Sequence, residues 1–144
     1  LTANSWGAAR LDDVIRRTVA PHTGTRVSIA GPPVRLNAEP AVTMHMAFHE
    51  LTTNALKYGA LSTADGSVSV SWTIDRESTP SVVHIIWSEH GGPPVTPPAR
   101  RGFGSNLLQT GLAREFGGEI RLTFAPGGFV CDMRLPKSGK LAIV

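Results

Sequence analysis

From Ser67 to Ile74 the chain alternates without a break, with Val68, Val70, Trp72 and Ile74 in one phase and Ser67, Ser69, Ser71 and Thr73 in the other. Successive side chains of a strand point to opposite faces, so this stretch predicts a strand buried on one face and wet on the other. Val82 to Trp87 is a nearly continuous apolar run and predicts a more central strand, with Asp75 to Ser81 as the turn of a hairpin between them. A chain built around such a pair needs further strands beside it and helices over its apolar face.

The flanking segments supply both. Leu11, Val14, Ile15 and Val19 recur at helical spacing, with Asp12 and Asp13 early and Arg16 and Arg17 late, which suits the helix dipole. Pro21 is expected to stop this helix. Val27/Ile29 and Val34/Leu36 form two short extended pieces broken by Gly31-Pro32-Pro33. Asn37 is read as the N-cap of the longest helix, which runs to about Tyr58 with Gly59 as its stop. Met44, Phe48, Leu51 and Ala55 share one face of that helix. A further helix starts at a Ser105 cap, carries Leu107, Leu108, Leu112 and Phe116, and stops at Gly117-Gly118. Two strands close the chain, Glu119–Ala125 and Phe129–Leu135, around a Pro126-Gly127-Gly128 turn, and the tail after Pro136 is expected to be loosely held. The expected fold class is α/β (α+β), a two-layer sandwich with a mixed β-sheet of about five strands and the helices on one face.

With 144 residues and neither an internal repeat nor a boundary, residues 1–144 read as one domain, with a core over about 6–136. Apolar residues at 41% and charged residues at 17% describe an ordinary globular chain. No apolar run reaches the roughly 18 residues a membrane helix needs, so direct membrane insertion of this domain is not expected. Cys131 is the single cysteine, which excludes a disulfide framework and a cysteine zinc site and makes a cytoplasmic location the expectation. A net charge of +3 without a Lys/Arg block gives little support to nucleic-acid or membrane-surface binding.

Three groups of residues could carry chemistry. In HELTTNALKYGAL, Glu50, Asn54 and Lys57 stand at i, i+4 and i+7, on one stripe of the helix opposite Phe48 and Ala55. A carboxylate, an amide oxygen and an ammonium on one stripe suit a magnesium–triphosphate site, since Mg²⁺ takes hard oxygen ligands and shares them with phosphates and water. The plainer reading is a solvated face with an ordinary Glu–Lys pairing. His45 and His49 stand at i and i+4, but their order is not H-E-x-x-H and no third ligand follows, so ordinary histidines are expected. In WSEHGGPP, Glu89 ends the apolar strand just before Gly91-Gly92; it could accept a hydrogen bond from an exocyclic amine, or be a surface carboxylate in a turn. In RRGFGSNLL, Gly102 and Gly104 precede a helix N-terminus beside Arg100 and Arg101, which suits a phosphate and equally suits a capped flexible loop. Between the last two groups, eight of the fifteen residues from His90 to Gly104 are Gly or Pro, so no regular element is expected there.

The order of these groups resembles the ATP-binding domain of the GHKL superfamily, with its helix box, two glycine boxes and mobile lid. The similarity is closer to the HWE group of bacterial sensor histidine kinases, named for a His in the helix box and a Trp-x-Glu in the first glycine box. Here those are His49 in HELTTNALKYGALS and Trp87-Ser88-Glu89 in WSEHGGP. GFGSNLL, the closing Leu135-Pro136 and the lead-in of Trp6, Ala9, Leu11 and Pro21 also fit, so the resemblance spans about Trp6 to Pro136.

The resemblance implies the Bergerat sandwich, whose left-handed connection departs from the usual crossover rule. It implies ATP and Mg²⁺ as cofactors, with Asn54 on the metal, Lys57 on the phosphates and Glu89 in place of the Asp that reads adenine in most relatives. Tyr58, Gly91, Gly92, Arg101, Gly102, Phe103, Gly104, Ser105 and Leu107 complete the implied ATP site, Gly91, Gly102 and Gly104 shaping pocket and lid. Glu50 stands where GHKL ATPases carry a water-activating base, although an imidazole acceptor is already a nucleophile. Glu50, Asn54 and His49 are the implied catalytic candidates, and His49 is on the ATP helix, not an acceptor. The dimerisation helix with the acceptor histidine is absent, and His22, His45, His49, His84 and His90 lie outside that context. The expectation is therefore a catalytic domain excised from a longer sensor kinase. It would bind ATP–Mg²⁺ and pass the γ-phosphoryl to a histidine of the parent's dimerisation domain, with a response regulator downstream. The alternatives are an anti-sigma-factor-type serine kinase and a nucleotide-binding scaffold domain without phosphotransfer.

Overall fold

A computed structural model describes residues 9–95 and 107–144. The predicted lead-in at Trp6 and the Arg100, Arg101, Gly102, Phe103, Gly104 and Ser105 segment lie outside the described residues. In chain order the elements are β1 (Ala9–Arg10), α1 (Leu11–Thr23), β2 (Val27–Ala30), β3 (Val34–Leu36), α2 (Ala38–Lys57), β4 (Ser67–Asp75), β5 (Val82–His90), a π-helical turn (Leu107–Gly111) running into α3 (Leu112–Phe116), β6 (Glu119–Ala125), β7 (Gly128–Pro136) and β8 (Leu141–Ile143).

The main sheet has the order β2-β4-β5-β7-β6. β2 and β4 pair in parallel and the other neighbours are antiparallel. β4 and β5 form the expected hairpin, with Val70 opposite Trp87. The alternation of β4 does what it predicts: Val68, Val70 and Trp72 are buried, while Ser67, Ser71 and Thr73 are exposed. Val83, Ile85 and Trp87 of β5 and Cys131, Met133 and Leu135 of β7 join them on one face. Leu11, Ile15 and Val19 of α1 and Met44, Phe48, Leu51 and Ala55 of α2 complete the same core. The predicted sandwich of helices on one face of a mixed sheet is the observed architecture.

Several local expectations need correction. α1 does not stop at Pro21 but continues to Thr23. Pro21 removes only one backbone donor in the last turn. The Thr23 hydroxyl donates to the Val19 carbonyl, and Gly24, at φ 59°, donates its N–H to the Ala20 carbonyl and closes the helix. The tail after Pro136 is not loose: β8 pairs with β3, which pairs with β1, in a second small sheet, and Leu141 is fully buried. Asn37 occupies the N-cap position but makes no side-chain cap; its Nδ2 donates instead to the Gly139 carbonyl at 2.8 Å and holds the tail. The later helix is not a uniform α-helix, since its first part winds as a π-helix, although Gly117, at φ 70°, ends it as expected.

Candidate functional site

The site is built where the C-terminal end of α2 meets the C-terminal end of β5. On α2, Glu50 and Asn54 are half-buried, whereas His49, Lys57 and Tyr58 are exposed. Among the described residues no side chain bonds to Glu50, Asn54 or Lys57, so the stripe is free of the Glu–Lys pairing that the plainer reading invoked. The Asn54 carbonyl takes the N–H groups of Tyr58 and Gly59, at 2.8 and 3.2 Å, and ends the helix. One residue on, the Ala60 N–H donates to Oε1 of Glu89 at 2.9 Å. The end of the helix and the carboxylate, far apart in sequence, are thus joined through the Tyr58-Gly59-Ala60 link.

Glu89 is 5% exposed, which is rare for a carboxylate and requires partners. Its second oxygen, Oε2, accepts the indole N–H of Trp87 at 2.9 Å. Each carboxylate oxygen holds two lone pairs, so both keep acceptor capacity after these bonds. Trp87 itself is fully buried and packs at 6.0 Å against Phe48 of α2.

Glycines let the backbone close on this carboxylate and on the Ala60 segment that bonds it. A Cβ on Gly59 would stand 2.2 Å from Glu89 Oε1, and one on Gly92 would stand 2.5 Å from the Ala60 Cα. Gly91 has φ 74°, where a side chain is strained. Gly59 thus follows the helix end for lack of space beside Glu89 and not for a left-handed stop, since its φ is −107°.

The histidines form a separate group. His45 and His49 stack at 6.2 Å, His22 lies 6.3 Å from His49, and the His45 Nδ1 bonds the Thr18 hydroxyl at 2.7 Å. No group of three or more His, Cys, Asp or Glu among the described residues is placed to hold a metal ion. A cavity of about 390 Å³ lined by His84, Asp132 and Arg134 sits on the wet face of the sheet and contains none of the predicted site residues.

No family model matches the chain. The blue-light-activated histidine kinase of Brucella ovis is 35% identical over 139 residues, which is 94% of this chain and 28% of the relative. The chain therefore spans somewhat over a quarter of the length of the curated relatives it matches. The histidine kinase domain of the blue-light-activated kinase of Erythrobacter litoralis superposes with a TM-score of 0.67 at 17% identity, covering 88% of this chain and 58% of that one. The catalytic domain of histidine kinase ThkA superposes with a TM-score of 0.65 at 16% identity, covering 90% of this chain and 95% of that one. The chain is similar in sequence to a segment of these histidine kinases and shares the fold of histidine kinase catalytic domains.

Within this fold the structure brings Asn54, Tyr58, Gly59, Glu89, Gly91 and Gly92 into one neighbourhood. Residues that the sequence does not single out also shape it. Arg26 donates to the carbonyls of Ala60, Leu61, Thr63 and Gly66, and Thr63 donates to those of Ala60 and Gly91. Neither has a sequence signal, because their partners are backbone atoms of another segment. Trp87 is visible in sequence as the end of an apolar strand and as part of the Trp-x-Glu motif, without the hydrogen bond that explains the motif.

Proposed function

We propose that this domain binds ATP with Mg²⁺ and donates the γ-phosphoryl to a histidine on a helical dimerisation domain of its parent, as a member of the HWE group of sensor histidine kinases. The observation that carries this reading is the buried Glu89 carboxylate, held by Trp87 and Ala60 with acceptor capacity to spare and linked through Ala60 to the end of the helix that bears Asn54. Glu89 accepts the adenine amine, and the glycines around it let backbone approach the ring face. Gly91 and Gly92 line that approach, and Lys57 and Tyr58, both exposed at the end of α2, reach toward the nucleotide.

The donor set on α2 fits a hard cation shared with phosphates. Asn54 offers one uncommitted amide oxygen, and with no protein cage among the described residues most ligands have to come from phosphate and water, which is how Mg²⁺ is usually held. When bound, Mg²⁺ supplies charge neutralisation to the phosphates. The protein's own contribution is positioning: it orients the nucleotide through Glu89 and the phosphates through Lys57. Glu50 needs no base role, because a neutral imidazole acceptor is already a nucleophile, and His49 is held in the His22/His45 group. ThkA has been crystallised in complex with the response regulator TrrA, and a response regulator is the downstream partner proposed here.

The test is phosphotransfer from γ-labelled ATP to a separately expressed helical domain bearing the acceptor histidine. Acid-labile label on that domain is expected. Binding without transfer favours a nucleotide-binding scaffold, and label on serine favours an anti-sigma-factor-type kinase. Glu89→Ala is expected to weaken ATP and ADP alike by roughly 10-fold or more, with or without metal, since a charged hydrogen bond contributes about 1.5–3 kcal/mol. Asn54→Ala is expected to flatten the Mg²⁺ dependence of ATP binding and to abolish transfer. An Asn54→Ala protein that keeps the full magnesium effect overturns the assignment of the helix residues.

A further inference from the structure

Arg26 occupies the last position of the turn that leads into β2. β2 runs parallel to β4 with Val27 opposite Val68, which sets Arg26 beside the entry to β4 and against the loop over residues 60–66. Its guanidinium gathers that loop. Nε and Nη2 donate to the Gly66 carbonyl at 3.1 and 2.9 Å, Nη1 to Leu61 at 3.4 Å, and Nη2 to Ala60 at 3.4 Å and to Thr63. Among the described residues no carboxylate pairs with Arg26. The planar, always-charged fork is therefore committed to backbone carbonyls, a task for which five fixed donors suit it and a lysine ammonium does not.

The loop it gathers is the one that holds Glu89. Ala60 is gripped at both ends: its N–H by Glu89 Oε1 at 2.9 Å, and its carbonyl by Arg26 and by the Thr63 hydroxyl at 3.3 Å. Thr63 also reaches the Gly91 carbonyl at 3.3 Å, which ties the loop to the residues just after Glu89. The loop is folded so tightly that a Cβ on Gly66 would overlap the Ala60 carbonyl oxygen at 1.6 Å. A seven-residue loop with four of its carbonyls drawn toward one cation has little freedom to turn the Ala60 amide elsewhere.

We propose that Arg26 is a positioning residue for nucleotide recognition: by gathering the carbonyls of the 60–66 loop it fixes the Ala60 amide, and through that amide the direction in which Glu89 presents its free lone pairs to a purine amine. This rests on the adenine role of Glu89 proposed above. Arg26 touches no nucleotide; it acts through Ala60 and so sets base selectivity more than phosphate affinity.

Arg26→Lys, Glu89→Gln and the double variant separate the two claims in the full 144-residue chain. The readouts are calorimetric affinities for ADP and GDP and the exchange rate of the Ala60 amide by NMR. Arg26→Lys is expected to weaken ADP by roughly 10-fold, the size of one charged hydrogen bond, while GDP changes less, and to speed Ala60 exchange. In the Glu89→Gln background the same change is expected to cost less than about 2-fold, because coupled residues are non-additive. Full additivity, or an unchanged ADP/GDP ratio in Arg26→Lys, overturns the positioning role and leaves the Glu89 reading intact. An ADP affinity unchanged in Glu89→Gln alone overturns the Glu89 reading, and with it this proposal. If Arg26→Lys does not fold, Thr63→Val removes the second tie on the same loop and carries the same comparison against Glu89→Gln.

Discussion

The Trp87 indole N–H donates to Glu89 Oε2 at 2.9 Å from two residues back on the same strand. Side chains at i and i+2 of a strand share a face, so the pair meets without any bend, and the Trp-x-Glu spacing is the one at which a donor can hold a buried carboxylate. Trp87→Phe keeps most of the ring packed on Phe48 and removes only the donor. Leaving a buried acceptor short of a partner costs about 1–3 kcal/mol. Thermal unfolding is expected to shift downward accordingly, and ADP affinity to fall as Glu89 loses one of its two holds. Unchanged melting together with unchanged ADP affinity would show that the hydrogen bond contributes nothing.

Lys140 donates to Glu115 Oε2 at 2.8 Å, and Thr43 donates to Glu115 Oε1 at 2.9 Å, so α2, α3 and the tail are pinned at one carboxylate. The Lys140 bond, followed by that of Thr43, holds the Glu115 carboxyl below its ordinary range, and Glu115 in turn raises Lys140. The stabilisation from Glu115 is complete above the ordinary glutamate value of about 4.3 and is lost as pH falls through the lowered folded value. That from Lys140 is complete below about 10.4 and is lost as pH rises through its raised value. Hydrogen exchange in Leu141–Ile143, corrected for intrinsic chemistry, is therefore expected to stay slow between these limits and to quicken on the acid side. Glu115→Gln should raise exchange at neutral pH and remove the acid limb; an acid limb that survives in this variant would sink the pairing.

Cys131 lies fully buried in β7 beneath the helices, and burial first, then the neighbouring Asp132 charge, push its thiol up to about 12. The thiolate is the reactive form, so alkylation at pH 8 requires the core to open. Labelling is expected to be negligible in native buffer and to follow the unfolding transition in denaturant, which makes this one thiol a reporter of global opening. Rapid stoichiometric labelling of the native protein would contradict the buried position.

The strands and the long helix were legible because burial imprints a period on the chain. Val68, Val70 and Trp72 alternate because one face of β4 is covered, and Met44, Phe48, Leu51 and Ala55 recur because one stripe of α2 covers it. The stripe of Glu50, Asn54 and Lys57 was legible for the same reason: a single helix sets its own spacing. Pro21 and the tail misled because their outcome depends on other elements. The last turn of α1 survives on a Thr23 hydroxyl and a Gly24 amide, and the tail is held by β3 at Leu141, by Asn37 at Gly139 and by Glu115 at Lys140.

Local pattern by itself thus determined the main strands and helices, the buried face of each and the chemistry that the Glu50, Asn54 and Lys57 stripe can offer, since these follow from bonds and periodicities within a few residues. Tertiary structure alone decided what that chemistry faces. The parallel register of Val27 with Val68 put Arg26 against the 60–66 loop, and the close approach at Gly59 put the end of α2 on Glu89. Contacts between backbone carbonyls and a distant guanidinium, or between a missing Cβ and a carboxylate, leave no period in sequence, because backbone atoms are the same at every residue and only the fold chooses which of them meet.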